Sequence, residues 1–211
     1  MRGILFDLDG TLLDTLDELY EAVNVSLAEF GYPRRSREEV RSFVGNGVGV
    51  LIRRAVPEGT SEADYETCLA FMKEYYAAHS GGATPYPGIM ELLYRLKARK
   101  IPMAVVTNKP DLPARKLVES RFPGLFDVVI GEIPGRPRKP APEMPLLALE
   151  RLGIGKEDAV YIGDSEVDIQ TARNAGLKVV SVTWGFRDEE QLRALKPDWL
   201  VHRPEELADL F

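Results

Sequence analysis

Phe6-Asp7-Leu8-Asp9-Gly10-Thr11-Leu12-Leu13-Asp14 completes the apolar run Ile4-Leu5-Phe6, and its reading decides the fold: a short buried strand ending in two carboxylates and a glycine turn. Side chains alternate across a strand, so a strand continued through Leu8 sets Asp7 and Asp9 on one face and Leu8 in the core. Gly10 then lets the backbone turn sharply away. Two acids on one side of a strand end can hold a divalent cation through oxygen ligands, and one of them is placed to attack an electrophile such as phosphorus. Asp and Gly are also common turn formers, so a solvated turn is the competing account of this stretch.

Three further segments bear on that choice. Met103-Ala104-Val105-Val106 runs into Thr107-Asn108-Lys109; Arg138-Lys139-Pro140-Ala141-Pro142 follows Val128-Val129-Ile130 and opens the next helix; Val160-Tyr161-Ile162 runs into Gly163-Asp164-Ser165-Glu166-Val167-Asp168. Singly, each has a plainer explanation. Thr107-Asn108 suits a helix N-cap, Lys139 suits an exposed loop, and Asp164 and Asp168 suit the first turn of a helix, where the dipole favours acids. Together they favour a site, because all four lie at the ends of strand-like segments. In open parallel sheets ligands bind outside the carboxyl ends of the strands, where strand order reverses, so these residues are expected to converge on one pocket.

The rest of the chain supplies the sheet. Strand-like runs alternate with amphipathic helices: Ile89 to Leu96, then near Leu112 to Ser120, Met144 to Leu152 and Asp168 to Ala175. That alternation implies an α/β fold, a doubly wound parallel, Rossmann-like sheet with helices on both faces. From Leu16 to His79 the pattern is helical only, with Leu16, Leu19, Val23, Leu27 and Phe30 at three- and four-residue spacing. Gly31 and Pro33 end that helix, Ser36 with Glu39 forms a capping box for the next, and Ser61 with Asp64 caps the last. The expected organisation is a core of residues 1–14 and 82–211 with an inserted all-helical cap, 15–81.

Composition narrows the function. The 211 residues are 45% hydrophobic and 28% charged, ordinary for a globular protein. A formal net charge of −6 argues against a nucleic-acid partner, and an acidic protein that binds an anionic substrate must gather positive charge locally. A metal ion plus Lys139 would do so. The single cysteine, Cys68, sits among apolar helical residues and reads as a buried, inert thiol. Neither a signal-peptide pattern nor a long apolar run occurs, so the expectation is a cytoplasmic protein without a membrane partner, monomeric or homodimeric.

The Asp-x-Asp-x-Thr of Asp7 to Thr11, the Thr at 107, the Lys at 139 and the Gly-Asp-x-x-x-Asp of Gly163 to Asp168 resemble, in order and across the whole chain, the four motifs of the haloacid dehalogenase superfamily. The resemblance implies a phosphatase in which Asp7 is the nucleophile, forming an aspartyl-phosphate, and Asp9 the acid/base. It gives phosphate binding to Thr107, Asn108 and Lys139. It implies Mg2+ on the carboxylates of Asp7 and Asp164 and the main-chain carbonyl of Asp9, with Asp168 orienting Lys139 or metal-bound water. Asp9 argues against dehalogenation, which needs neither the second acid nor a metal. Within the superfamily, Val44-Gly45-Asn46-Gly47-Val48, Tyr86-Pro87-Gly88 and Val106-Thr107-Asn108-Lys109-Pro110 resemble the phosphoglycolate phosphatases, which implies 2-phosphoglycolate or a similar small phosphorylated metabolite. Pyrophosphatases, sugar-phosphate phosphatases and phosphomutases share the core motifs and stay open as alternatives.

Three segments outside those motifs matter. Gly45-Asn46-Gly47-Val48-Gly49 lies in the helical block without a second βαβ unit, so it reads as a helix–helix turn rather than a dinucleotide loop. Gly45, Asn46, Gly47 and, at the rim, Lys109 are the expected specificity residues. A phospho-acceptor receiver module also combines acids, a Thr and a Lys on a parallel sheet, yet it carries its acceptor Asp on a later strand and has no helical insertion. Trp184 and Trp199 read as core or rim residues.

Overall fold

The computed structural model describes residues 3–211; Met1 and Arg2, which the sequence assigns to the core, lie outside the described residues. In chain order the elements are β1 (Gly3–Phe6), β2 (Leu13–Asp14), α1 (Leu16–Glu29), α2 (Arg37–Phe43), α3 (Gly47–Ala55), α4 (Glu62–His79), β3 (Thr84–Pro85), α5 (Ile89–Ala98), β4 (Met103–Pro110), α6 (Asp111–Arg121), β5 (Val128–Glu132), α7 (Glu143–Leu152), β6 (Ala159–Gly163), α8 (Glu166–Ala175), β7 (Lys178–Val182), α9 (Glu189–Ala194), β8 (Trp199–Val201) and α10 (Pro204–Leu210).

Two compact units result. Thr15–Ala83 is all helical, and the remaining described residues build the α/β unit. The sequence places the boundary after residue 81, whereas Gly82 and Ala83 belong with the helices. Glu18 of α1 explains this: its Oε1 accepts from the backbone N–H groups of Gly81, Gly82 and Ala83 at 2.5–2.9 Å. The helical unit carries its expected caps. Ser36 and Glu39 form the reciprocal capping box, which satisfies two otherwise orphaned N–H groups, and the Ser61 hydroxyl accepts from Asp64 N–H. Between α2 and α3 the turn uses Gly45 (φ 124°) and Gly47 (φ 79°), conformations that side-chain-bearing residues rarely adopt.

In the α/β unit six strands run parallel in the order β5-β4-β1-β6-β7-β8. After β1 the chain builds outward through β4 and β5, then returns to the other side of β1 for β6, β7 and β8, so the strand order reverses at β1. That reversal opens a crevice at the carboxyl ends of β1, β4 and β6. The strands are held by a core in which Leu5, Val106, Ile130, Ile169, Ala172 and Val179 are almost wholly buried. Burying such an aliphatic side chain stabilises by about 1.5–3 kcal/mol, enough in sum to fix the strand ends rigidly beneath the crevice. Among the described residues no helix is long and apolar enough to cross a membrane.

Candidate active site

The ladder of β1 stops at Phe6 rather than running on through Leu8. Asp7 N–H still donates to Ile162 on β6 at 2.9 Å, and the chain then turns, with Leu12 and Leu13 N–H both returning to the Leu8 carbonyl. Asp7 and Asp9 meet different lysines. Asp7 Oδ1 accepts from Leu8 N–H at 2.7 Å and lies 2.9 Å from Lys139 Nζ. Asp9 Oδ1 instead lies 3.3 Å from Lys109 Nζ.

Lys139 arrives from the loop between β5 and α7, four residues before the helix begins, and is 2% exposed. Its ammonium is 2.8 Å from Asp168 Oδ1, 2.9 Å from Asp7 Oδ1 and 3.1 Å from Tyr161 Oη, which matches its three hydrogens. Burial opposes its charge, but Asp168 and Asp7 outweigh that and hold the lysine well above its ordinary range. Asn108 fixes the backbone: its Nδ2 donates to the Lys139 carbonyl at 3.1 Å and its Oδ1 accepts from Lys139 N–H at 3.0 Å. Asn108, expected to bind phosphate, thus also holds the Lys139 backbone. Thr107 and Lys109 sit with Asn108 where the register of β4 shifts between Val106 and Pro110; a bulge of this kind re-aims side chains, and all three are buried. Thr107 Oγ1 accepts from Lys109 N–H at 3.1 Å, which leaves the hydroxyl proton to donate.

Asp164 follows β6 and Asp168 lies in the first turn of α8. Asp168 Oδ2 accepts from the Ser165 N–H and hydroxyl, completing a capping box, while Oδ1 meets Lys139. Asp164 Oδ1 accepts from the Thr11 hydroxyl at 3.0 Å and Oδ2 from Phe186 N–H at 2.7 Å. Burial, then the nearby Asp168, pushes Asp164 up to about 7; burial likewise raises Asp7 well above the usual carboxylate range, with Lys139 opposing.

Three carboxylates thus stand against one ammonium, and oxygens of Asp7, Asp164 and Asp168 lie within 4.8 Å of one another. Such a cluster suits a hard cation with oxygen ligands. Asp168 spends both oxygens on Lys139 and Ser165, so Asp7 and Asp164 are the side chains that fit it. A pH dependence follows. A folded-state pKa raised to about 7 means that stability is fully present below the unfolded value and is lost as pH rises through 7. Without divalent cations stability, read from the melting temperature, should fall as pH rises from about 4 to 7, at about 1.4 kcal/mol per pH unit at most. The Asp164→Asn variant should flatten this slope; equal slopes in both proteins would refute the assignment.

Sequence reasoning missed four groups here. Thr11 and Phe186 N–H hold Asp164, Tyr161 bridges Lys139 to the Val106 carbonyl, and Trp184 Nε1 donates to the Thr11 carbonyl at 3.0 Å. Thr11 had a signal, as the last residue of the Asp-x-Asp-x-Thr motif.

Comparison with known proteins places the chain in a family. A family model described as haloacid dehalogenase-like hydrolase matches residues 4–182. Phosphoglycolate phosphatase 1 of Pseudomonas aeruginosa is 35% identical over 206 residues, covering 95% of this chain and 76% of that protein. A crystal structure from Lactobacillus delbrueckii subsp. bulgaricus superposes with a TM-score of 0.94 at 35% identity, over 99% of this chain and 97% of the other. CbbY from Rhodobacter sphaeroides, solved in complex with phosphate, superposes with a TM-score of 0.81 at 27% identity, over 98% and 96%.

Proposed function

We propose, for a chain that belongs to the haloacid dehalogenase-like hydrolases and is a phosphoric monoester hydrolase, that turnover runs through a phosphoryl group carried on Asp7 and requires a divalent cation, Mg2+. The observation that carries this reading is the chain Asp7–Lys139–Asp168 beside Asp164 at the strand ends.

Asp7 Oδ1 is engaged by Leu8 N–H and Lys139, so Oδ2 attacks phosphorus. The bond to the ester oxygen breaks as Asp9 donates a proton to the departing alcohol. Asp9 then takes a proton from water, which attacks the aspartyl-phosphate and releases phosphate, returning Asp7 as a carboxylate. Thr107 donates to a phosphoryl oxygen. Lys139, with its hydrogens already directed at Asp7, Asp168 and Tyr161, supplies positive charge beside phosphorus rather than a free donor. The carboxylates of Asp7 and Asp164, with the Asp9 carbonyl, would hold Mg2+, whose chemistry is to offset the negative charge of the phosphoryl group. Asp168 orients Lys139.

The substrate is 2-phosphoglycolate or a similarly small phosphorylated metabolite, supported by the named activity of the Pseudomonas aeruginosa relative. Gly45, Asn46 and Gly47, with Lys109, are assigned to substrate ranking. Phosphate release from 2-phosphoglycolate, pyrophosphate, several sugar phosphates and an aryl phosphate, each with Mg2+ and with chelator, tests these assignments. The expected result is a preference for 2-phosphoglycolate of at least about 100-fold in kcat/KM, worth about 2.7 kcal/mol, lost on chelation and eroded by Asn46→Ala. Chelator-resistant release would sink the metal assignment, and an equal rate on all substrates would sink the substrate.

A further inference from the structure

The geometry points to Trp184 and Arg187 as positioning residues that set the metal affinity of the site by fixing the Asp164 carboxylate through the backbone between them. This rests on the reading of Asp164 as a cation ligand. The segment leaves β7 at Val182 and enters α9 at Glu189, and it meets the site at three points. Phe186 N–H donates to Asp164 Oδ2 at 2.7 Å. Two residues earlier, Trp184 Nε1–H donates at 3.0 Å to the carbonyl of Thr11, whose own hydroxyl holds Asp164 Oδ1 at 3.0 Å. One residue later, the Arg187 fork grips Glu166 on α8, with Nε to Oε2 at 2.6 Å and Nη2 to Oε1 at 2.9 Å. Glu166 lies two residues past Asp164, so both anchors lead back to the elements that carry the two sides of Asp164.

Close packing makes the arrangement stiff. A Cβ added to Gly185 would collide with the Gly10 carbonyl oxygen and with Asp164 Cβ, and one added to Gly10 would lie 2.5–2.7 Å from the Asp164 carboxylate. Two glycine backbones thus approach Asp164 too closely for any side chain to stand there. Arg187 is 7% exposed, and its paired Glu166 is half-exposed on the outer side. A bidentate arginine–carboxylate pair fixes orientation as well as distance, which a lysine cannot reproduce. Residues that orient a metal ligand commonly change metal affinity 10- to 100-fold when removed.

The test is Mg2+ titration by calorimetry on the wild type, Arg187→Met, Arg187→Lys and Trp184→Phe, with metal-free melting temperatures alongside and kcat at saturating Mg2+. The expected result is a dissociation constant weakened about 10- to 100-fold in Arg187→Met, little rescued by Arg187→Lys, and weakened in Trp184→Phe, with kcat recovering at saturating Mg2+. Trp184→Phe keeps the ring and loses only the N–H, so it decides the matter if the arginine variants do not fold. Variants that bind Mg2+ within about twofold of wild type, whatever their melting temperature, would overturn the inference while leaving the cation site intact. A wild type that binds no Mg2+ would overturn both.

Discussion

Asp7→Asn is expected to lower turnover by roughly 10^4-fold or more while leaving the fold intact. The amide matches the carboxylate in shape but has no lone-pair charge with which to attack phosphorus, and removal of a covalent nucleophile collapses catalysis to what binding and electrostatics alone supply. The stability effect should have the opposite sign from that of most buried substitutions. Burial raises the Asp7 carboxyl well above its ordinary range, with Lys139 only partly opposing. A folded-state pKa above the unfolded value means that the ionised group costs stability at neutral pH, a cost that disappears as pH falls below the unfolded value. The neutral amide removes that cost, so metal-free Asp7→Asn should melt at or above the wild-type temperature at pH 7.5. Lys139 remains paired with Asp168 at 2.8 Å, so no buried charge is stranded. Paired assays of phosphate release and thermal melting check this. Substantial retained turnover would remove the nucleophile assignment; a large drop in melting temperature would show that Asp7 is held there for structure.

The local parts of this molecule were legible because they are set by neighbours in the chain. Ser36 and Glu39 cap α2 across a three-residue span, and the spacing of Leu16, Leu19, Val23 and Leu27 gives α1 its buried face. Asp7, Lys139, Asp164 and Asp168 were legible for a different reason: they recur at strand ends, and a parallel sheet brings its carboxyl ends together. What the sequence withheld is how those groups divide the work. The hydrogen bond from Thr11 to Asp164 spans 153 positions, and Phe186 contributes a backbone N–H, which every non-proline residue carries and no side chain advertises. Tyr161 reads as core because it is core, with its hydroxyl the third partner of a buried lysine. Asn108 reads as a donor to phosphate because asparagine is one; only the fold shows that its Nδ2 and Oδ1 also bond to the Lys139 backbone. That Asp7 meets Lys139 and Asp9 meets Lys109 is set by pairings far apart in the chain, which no local pattern carries.

Lys139→Met should produce the largest combined loss, and its pH dependence identifies the cause. Methionine nearly fills the volume of the lysine stem, so the change isolates the ammonium. Without it, Asp7 and Asp168 lose the ammonium that pairs them, and breaking a buried charge pair by removing one partner destabilises by about 3–5 kcal/mol. Charge beside the attacked phosphorus also disappears, which should cost about 10^3-fold in kcat. In the wild type, Lys139 is held well above its ordinary range by Asp168 and Asp7, against burial, so its contribution persists at all pH values below that range. In the variant Asp7 loses its counter-charge and rises further above its unfolded value, while burial keeps Asp164 raised. Their stability is then present at low pH and lost as pH rises through those raised values. The destabilisation of Lys139→Met relative to wild type should therefore be larger at pH 8 than at pH 5, measured by melting both metal-free proteins in chelator. A difference independent of pH would mean that Lys139 acts through its packing, and the charge balance drawn for the site would be wrong.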